Sequence, residues 1–192
     1  MTEPNVSFAS NYTTIETVPQ PKQSSSDAFR VCFVCTGNIC RSPMAEIVFR
    51  HIVDVAGLSG EVEVSSRGTG DWHVGEKADS RTLTALTARG YDGHSHRARQ
   101  MDLNDFTNND LIVALDRTHL RVLGTLAPTP EELDKVELLM IFASRSGDQL
   151  DVPDPYYSDD AMFSQVLHTV EAACAALFHQ LEPAIRQRDI TA

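Results

Sequence analysis

Val31-Cys32-Phe33-Val34-Cys35-Thr36-Gly37-Asn38-Ile39-Cys40-Arg41-Ser42-Pro43 reads as a buried strand, a tight loop and the start of a helix. The run 31–34 is apolar and partly β-branched, the mark of a strand covered on both faces. Gly37 and Asn38 follow, and both tolerate the positive φ that re-aims a backbone. Ser42 suits a helix cap and Pro43 a first helical turn. A junction of this kind points successive amide N–H groups at one centre, where an anion can sit.

That cradle holds Cys35 and, six positions on, Arg41. Amides and a helix N-terminus stabilise a thiolate at such a place. A guanidinium offers a planar fork for two oxygens of a phosphoryl group. Nucleophile and clamp around one tetrahedral anion are the equipment for phosphoryl transfer through a phosphocysteine. Cys-x5-Arg alone occurs often by chance. The whole string from Cys35 to Pro43, set between a strand and a helix, is far more specific. It resembles the phosphate-binding loop of the low-molecular-weight protein tyrosine phosphatases.

Outward from the loop, 192 residues suffice for one domain with a proper core. A net charge of −11 argues against nucleic acid or an anionic membrane as a general partner. An anionic substrate must then be held by local positive charge, from Arg41 and loop amides. No apolar run reads as long enough to span a bilayer. The N-terminus lacks the basic and apolar regions of a signal peptide. The four cysteines suggest a reducing compartment rather than a disulfide scaffold. The expected location is therefore the cytoplasm, with leaderless export left open. Cys32 and Cys35 form a Cys-x-x-Cys, but residues three apart on a strand face opposite sides and no second ligand pair exists, so Cys32 reads as core.

Residues 1–28 are rich in Ser, Thr, Gln, Asn and Pro and read as a disordered tail; residues 29–192 form the expected domain. A helix from 42 to about 57 has apolar residues at helical spacing. Residues 61–65 alternate like a strand, and a Gly-rich loop with the single Trp72 follows. Spacing leaves Trp72 equally open to a cleft wall or a cover for the core edge. Helices are expected at 79–89, 103–106, 117–126 and 159–188, and strands at 110–115 and 135–142. His94 and His96 suggest a metal only weakly. Strands alternating with helices imply a parallel sheet with right-handed crossovers and helices on both faces, a three-layer α/β fold. Its site lies beyond the carboxyl ends of the strands, where Cys35, Ser66, Asp116 and Asp154 are expected.

Cleaving a phosphate ester also needs a proton for the leaving oxygen. Asp154 lies between Pro153 and Pro155, which restrict its backbone. A Pro-Asp-Pro turn alone would be read as merely structural. However, Asp154-Pro155-Tyr156-Tyr157 resembles the general-acid loop of the same phosphatases, at the expected place before the last helix. Ser66, Trp72, His96-Arg97-Ala98-Arg99-Gln100 and Leu115-Asp116 extend the likeness from about residue 30 to the last helix.

That resemblance implies a flavodoxin-like sheet with strands in the order 2-1-3-4, and no cofactor or metal. It implies Cys35 as nucleophile, Arg41 as phosphate clamp and Asp154 as acid. Thr36, Gly37, Asn38, Ile39 and Cys40 would surround the phosphate, with Ser42 donating to the Cys35 thiolate. Ser66 and His96 would support Asn38, and Asp116 would be a further supporting residue. Trp72, Tyr156 and Tyr157 would line the mouth. Cys40 would be the second loop cysteine, able to form a reversible disulfide with Cys35. The expected partners are phosphotyrosine-containing proteins, met by a monomer. Two rivals stand beside this reading. One is an arsenate reductase on the same fold, coupled to a low-molecular-weight thiol. The other is a catalytically dead phosphotyrosine-binding module, which the intact Cys35, Arg41 and Asp154 disfavour.

Overall fold

The computed structural model describes residues 28–143 and 149–189. The tail expected over 1–28 therefore lies, but for Ala28, outside the described residues.

Strand β1 (Phe29–Cys35) is buried at every residue but Arg30. Its apolar run makes it a central strand, and it sits between β2 (Val62–Gly68) and β3 (Leu111–Ala114), with β4 (Val136–Leu138) beyond β3. All pairings are parallel and the order is β2-β1-β3-β4, as expected. The alternation along β1 feeds two cores. Phe29, Val31, Phe33 and Cys35 face the side of helices α1 (Arg41–Val55) and α7 (Asp160–Asp189). Cys32 and Val34 face Phe106 of α3 (Leu103–Asn108) and Leu123 of α4 (Arg117–Leu126). Cys32 and Cys35 thus point to opposite faces, so the Cys-x-x-Cys is no ligand pair.

The remaining helices are α2 (Ser80–Ala88), α5 (Pro130–Leu133) and α6 (Leu139–Ala143). Side-chain caps start several of the helices. Asp79 accepts from Arg81 N at α2, Asp102 and Asp105 form a reciprocal box at α3, and Asp116 accepts from His119 N at α4.

The structure corrects four expectations. The strand expected over 135–142 stops after three residues and turns into α6. Its apolar run could not reveal this, because short runs of Leu, Met and Ile suit either element. The switch lets Val136 and Leu138 pack on one face of the sheet while Leu139 and Met140 pack on the other. Strand β2 runs on to Gly68, since its pairing with β1 continues to Cys35, so Ser66 lies within the strand rather than after it. Ser42 is not the cap of α1: the N-cap is Cys40, without a side-chain cap bond, and the Ser42 hydroxyl turns toward Cys35. Finally, an 18-residue window of α7 has mean hydropathy 1.3, which by length and composition alone would suffice to cross a membrane. Its Phe163, Val166, Leu167, Val170, Cys174, Leu177 and Leu181 are all buried in the domain core, the i, i+3, i+4 face read from the sequence.

Candidate active site

The loop after β1 is held open from outside. Thr69 N donates to Cys35 O (2.8 Å), Gly70 N to Thr36 O (2.9 Å), and Asp79 N to Ile39 O (2.9 Å). His96 Nε2 donates to Asn38 O at 2.8 Å. A planar trans peptide points its N–H opposite to its C=O. Carbonyls drawn outward therefore leave the amides that follow them facing inward, the arrangement an oxyanion requires. Gly68 makes this packing possible: a Cβ there would lie 2.8 Å from Thr36 O.

Asn38 locks the loop. Its φ is +55°, one of few strained values an Asn side chain tolerates. Its amide donates to Ser42 Oγ and to Ser66 Oγ, both at 2.8 Å, and its Oδ1 accepts from Arg99 N at 2.8 Å. Every polar atom of the buried side chain is used, which fixes its orientation. Ser42 Oγ, positioned by that donation, lies 3.0 Å from Cys35 Sγ. The chain of bonds extends the other way, from Ser66 Oγ to Glu46 Oε2 at 2.5 Å.

Sequence reading missed Glu46, although it lies one helical turn after Ser42 and so on the same face of α1. Burial would raise its pKa. Hydrogen bonds from His96 and Ser66, with the Arg50 charge, outweigh burial and hold it down at about 2, against an ordinary 4.5. A depressed carboxyl stabilises the fold above its ordinary pKa, and that stabilisation is lost as pH falls toward the folded value. At 1.36 kcal/mol per unit, the effect is on the order of 3 kcal/mol. Glu46→Gln is therefore expected to lower stability by about that much at pH 7. The gap to the native protein should shrink below about pH 4.5 and close near pH 2. Urea unfolding at several pH values reads this. A gap that does not change with pH would mean the carboxylate charge is not what matters.

Arg41 is buried and held on both sides. Its Nη1 donates to Asp116 Oδ2 (2.7 Å) and to Val152 O (3.3 Å). Its Nη2 donates to Asp154 Oδ2 (2.8 Å) and lies 3.4 Å from Thr36 Oγ1. His119, which the sequence did not single out, closes this side: its Nε2 lies 2.9 Å from Thr36 Oγ1. Burial and the Arg41 charge push its pKa down to about 4, so the imidazole is neutral at physiological pH. Its Nδ1 is 3.0 Å from Asp116 Oδ1 but too poorly aligned for a hydrogen bond.

The acid loop stands at the rim. The Asp154 side chain is half exposed, in contrast to 16% for Asp116. Tyr156 N caps Asp154 Oδ1 at 3.2 Å. Tyr156 and Tyr157 meet edge to face at 4.9 Å between ring centres, and the Arg81 guanidinium lies 5.9 Å from the Tyr156 ring centre. Arg81 Nη1 also donates to Ser158 O, tying α2 to this loop. Trp72 is 71% exposed, which decides against a cover for the core edge. His73 lies beside the loop, 2.9 Å from where a Gly37 Cβ would be, and its ring centre is 6.3 Å from that of Tyr156. His96 is committed to Asn38 and Glu46, while His94 is exposed, so the pair is not a joint ligand set.

Of the other cysteines, burial pushes the Cys32 thiol and the Cys40 thiol up to about 12, with Asp79 adding to the rise at Cys40, and burial raises Cys174 as well. Cys35 instead ends β1 at the mouth of the loop, with Ser42 Oγ 3.0 Å from its sulfur.

Fold and site together define a phosphoryl-transfer enzyme of the cysteine-phosphatase kind, with its loop at the carboxyl end of a central strand. The match to known proteins is equally specific. Residues 30–187 fit the model of the low molecular weight phosphotyrosine protein phosphatases. A low molecular weight protein-tyrosine-phosphatase of Streptomyces coelicolor is 51% identical over 161 residues, covering 83% of this chain and 98% of that one. Low molecular weight protein-tyrosine phosphatase A of Mycobacterium tuberculosis is 47% identical over 153 residues, covering 79% and 91%. Among crystal structures, a protein tyrosine phosphatase of Entamoeba histolytica with Hepes in the active site superposes with a TM-score of 0.76 at 34% identity, covering 81% and 98%. YfkJ of Bacillus subtilis gives 0.77 at 32%, covering 84% and 98%. The chain belongs to the low-molecular-weight protein tyrosine phosphatase family.

Proposed function

We propose that the protein hydrolyses phosphotyrosine in proteins, with Cys35, Arg41 and Asp154 as its working residues. The observation that carries this is their convergence on one loop whose amides face inward, under an aromatic rim. In the first step Cys35 Sγ attacks phosphorus and the bond from phosphorus to the phenolic oxygen breaks. Asp154 gives its proton to that oxygen. Arg41 exchanges its contact with Asp154 for two phosphoryl oxygens, which frees the carboxyl at the moment it is needed. In the second step water attacks the phosphocysteine, Asp154 takes up the water's proton, and Cys35 leaves as a thiolate that accepts from Ser42 Oγ.

Tyr156, Tyr157 and Trp72 give an aromatic leaving group surfaces to stack on, which a small inorganic anion would not use. This favours an aryl phosphate over arsenate, and the similar proteins named above are phosphatases. Phosphotyrosine peptides should be hydrolysed far faster than phosphoserine peptides of the same sequence. Phosphate release from matched peptides measures this, and equal rates would defeat the specificity.

Peroxide should inactivate the enzyme reversibly through a Cys35–Cys40 disulfide. The Cys35 thiolate is oxidised to a sulfenic acid, and the Cys40 thiol displaces water from it. Burial raises the Cys40 thiol, so this closure should quicken with rising pH. If Cys40→Ser recovers in thiol reductant as fully as the native protein, Cys40 is not the resolving residue.

A further inference from the structure

The hydrogen-bond chain that begins at Cys35 ends at Glu46, and beyond Glu46 lies a second cavity, of about 300 Å³. Its lining includes Arg50, Arg67, Arg97 and Arg99, together with Ser95 and a single acidic residue, Glu46. Two of the arginines are neutralised: Arg50 pairs with Glu46, and Arg67 with Asp105 at 2.9 Å. Among the described residues, no carboxylate pairs with Arg97 or Arg99, and both are exposed. Arg97 is oriented nonetheless, since its Nη1 donates to the carbonyls of His94 (3.2 Å) and His96 (2.6 Å). Unneutralised guanidiniums concentrated in one concave site are conspicuous in a chain of net charge −11. None of the phosphatase steps above uses them.

We propose that this cavity binds a small multivalent oxyanion, a polyphosphate or the phosphate chain of a nucleotide. Arginine forks match phosphate oxygens in pairs. A chain of two or three phosphates offers each unneutralised arginine oxygens of its own, which a single phosphate does not. The site is built into the support of the catalytic loop. Ser66 and Glu46, which line it, also hold Asn38 and His96. An anion there competes with Glu46 for Arg50, and so acts on the chain that orients Ser42. This last link rests on the phosphatase reading; binding itself does not.

The test uses the intact protein with its catalytic loop filled by vanadate, titrated with inorganic tripolyphosphate and followed by calorimetry and by backbone amide shifts. The expected result is one saturable site, with shifts at Ser65, Ser95 and Arg97, and an affinity that falls with added salt. The double variant Arg97→Glu/Arg99→Glu should bind about tenfold or more weakly, as loss of charge-assisted bonds predicts. Thermal unfolding serves as its folding control, and Ser95→Asp, a single exposed change, should weaken binding in the same direction. ATP binding like tripolyphosphate while adenosine does not would assign a nucleotide's phosphates; tripolyphosphate alone would assign a free polyphosphate. Shifts confined to residues 36–41, loss of all binding in vanadate, or unchanged affinity in the double variant would each overturn the site. Loss of turnover in Cys35→Ser with tripolyphosphate binding intact would show that the two sites stand independently.

Discussion

Cys35→Ser is expected to abolish turnover of every phosphate monoester, by at least about 10⁵-fold, while phosphate and vanadate binding survives in part. The separation follows from how the loop is built. The groups that hold the anion are backbone amides, fixed by carbonyls drawn outward to Thr69, Gly70, Asp79 and His96, together with the guanidinium of Arg41. None of these depends on the sulfur. A serine hydroxyl in the same place keeps its proton and attacks poorly. The Ser42 hydroxyl, 3.0 Å from that position, is no base to take the serine's proton and cannot make up for this. Rapid-quench assays for a phosphoenzyme, run beside calorimetry with vanadate, read both halves. Residual turnover within about a hundredfold of the native rate would mean that another group, or water, makes the attack.

Asp154→Ala is expected to lose activity according to the leaving group. General acid catalysis is worth about 10²–10⁴-fold where a proton is needed. The loss should be near the upper figure for phosphotyrosine and small for p-nitrophenyl phosphate, whose nitrophenolate departs unprotonated. Asp116 is the other carboxylate at Arg41, but it is committed on both oxygens, to Arg41 Nη1 and to the cap of α4, and it lies deeper. Asp154 stands at the rim with Tyr156 and Tyr157. An equal loss on good and poor leaving groups would transfer the acid role elsewhere, and Asp116→Asn would be the next variant to assay.

The arginine cavity gives these experiments a wider use. Because Ser66 and Glu46 belong both to its lining and to the support of Asn38, an anion bound there is expected to change kcat more than KM for aryl phosphates. The Glu46→Gln variant, which breaks the shared element, should blunt that response.

Much of the site was legible in the sequence because its parts are local. The strand, the Gly37-Asn38 turn and the start of α1 are neighbours in the chain, so Cys35 and Arg41 must share one loop whatever else folds around them. The period-2 and period-3.6 patterns likewise place β3, α4 and α7 to within about a residue at each end, since each buries a face that its own side chains define. What local pattern could not decide was anything fixed by packing between distant segments. The apolar run at 135–142 divides into β4 and α6 because two opposite cores compete for its side chains. Ser42 is drawn from capping to Cys35 by Asn38, whose own orientation is set by Ser66 and by Arg99, 61 residues away. Glu46, His119 and the Val152 carbonyl join the site through bonds that span from 20 to 111 positions, and the four arginines meet only once α1, β2 and the segment after α2 are packed together. The sequence by itself determined the nucleophile's loop and the parallel sheet, through short-range sterics and the burial of apolar faces. The tertiary structure decided which polar groups orient the thiol, and where the unneutralised charge collects, because those depend on through-space distance rather than on separation along the chain.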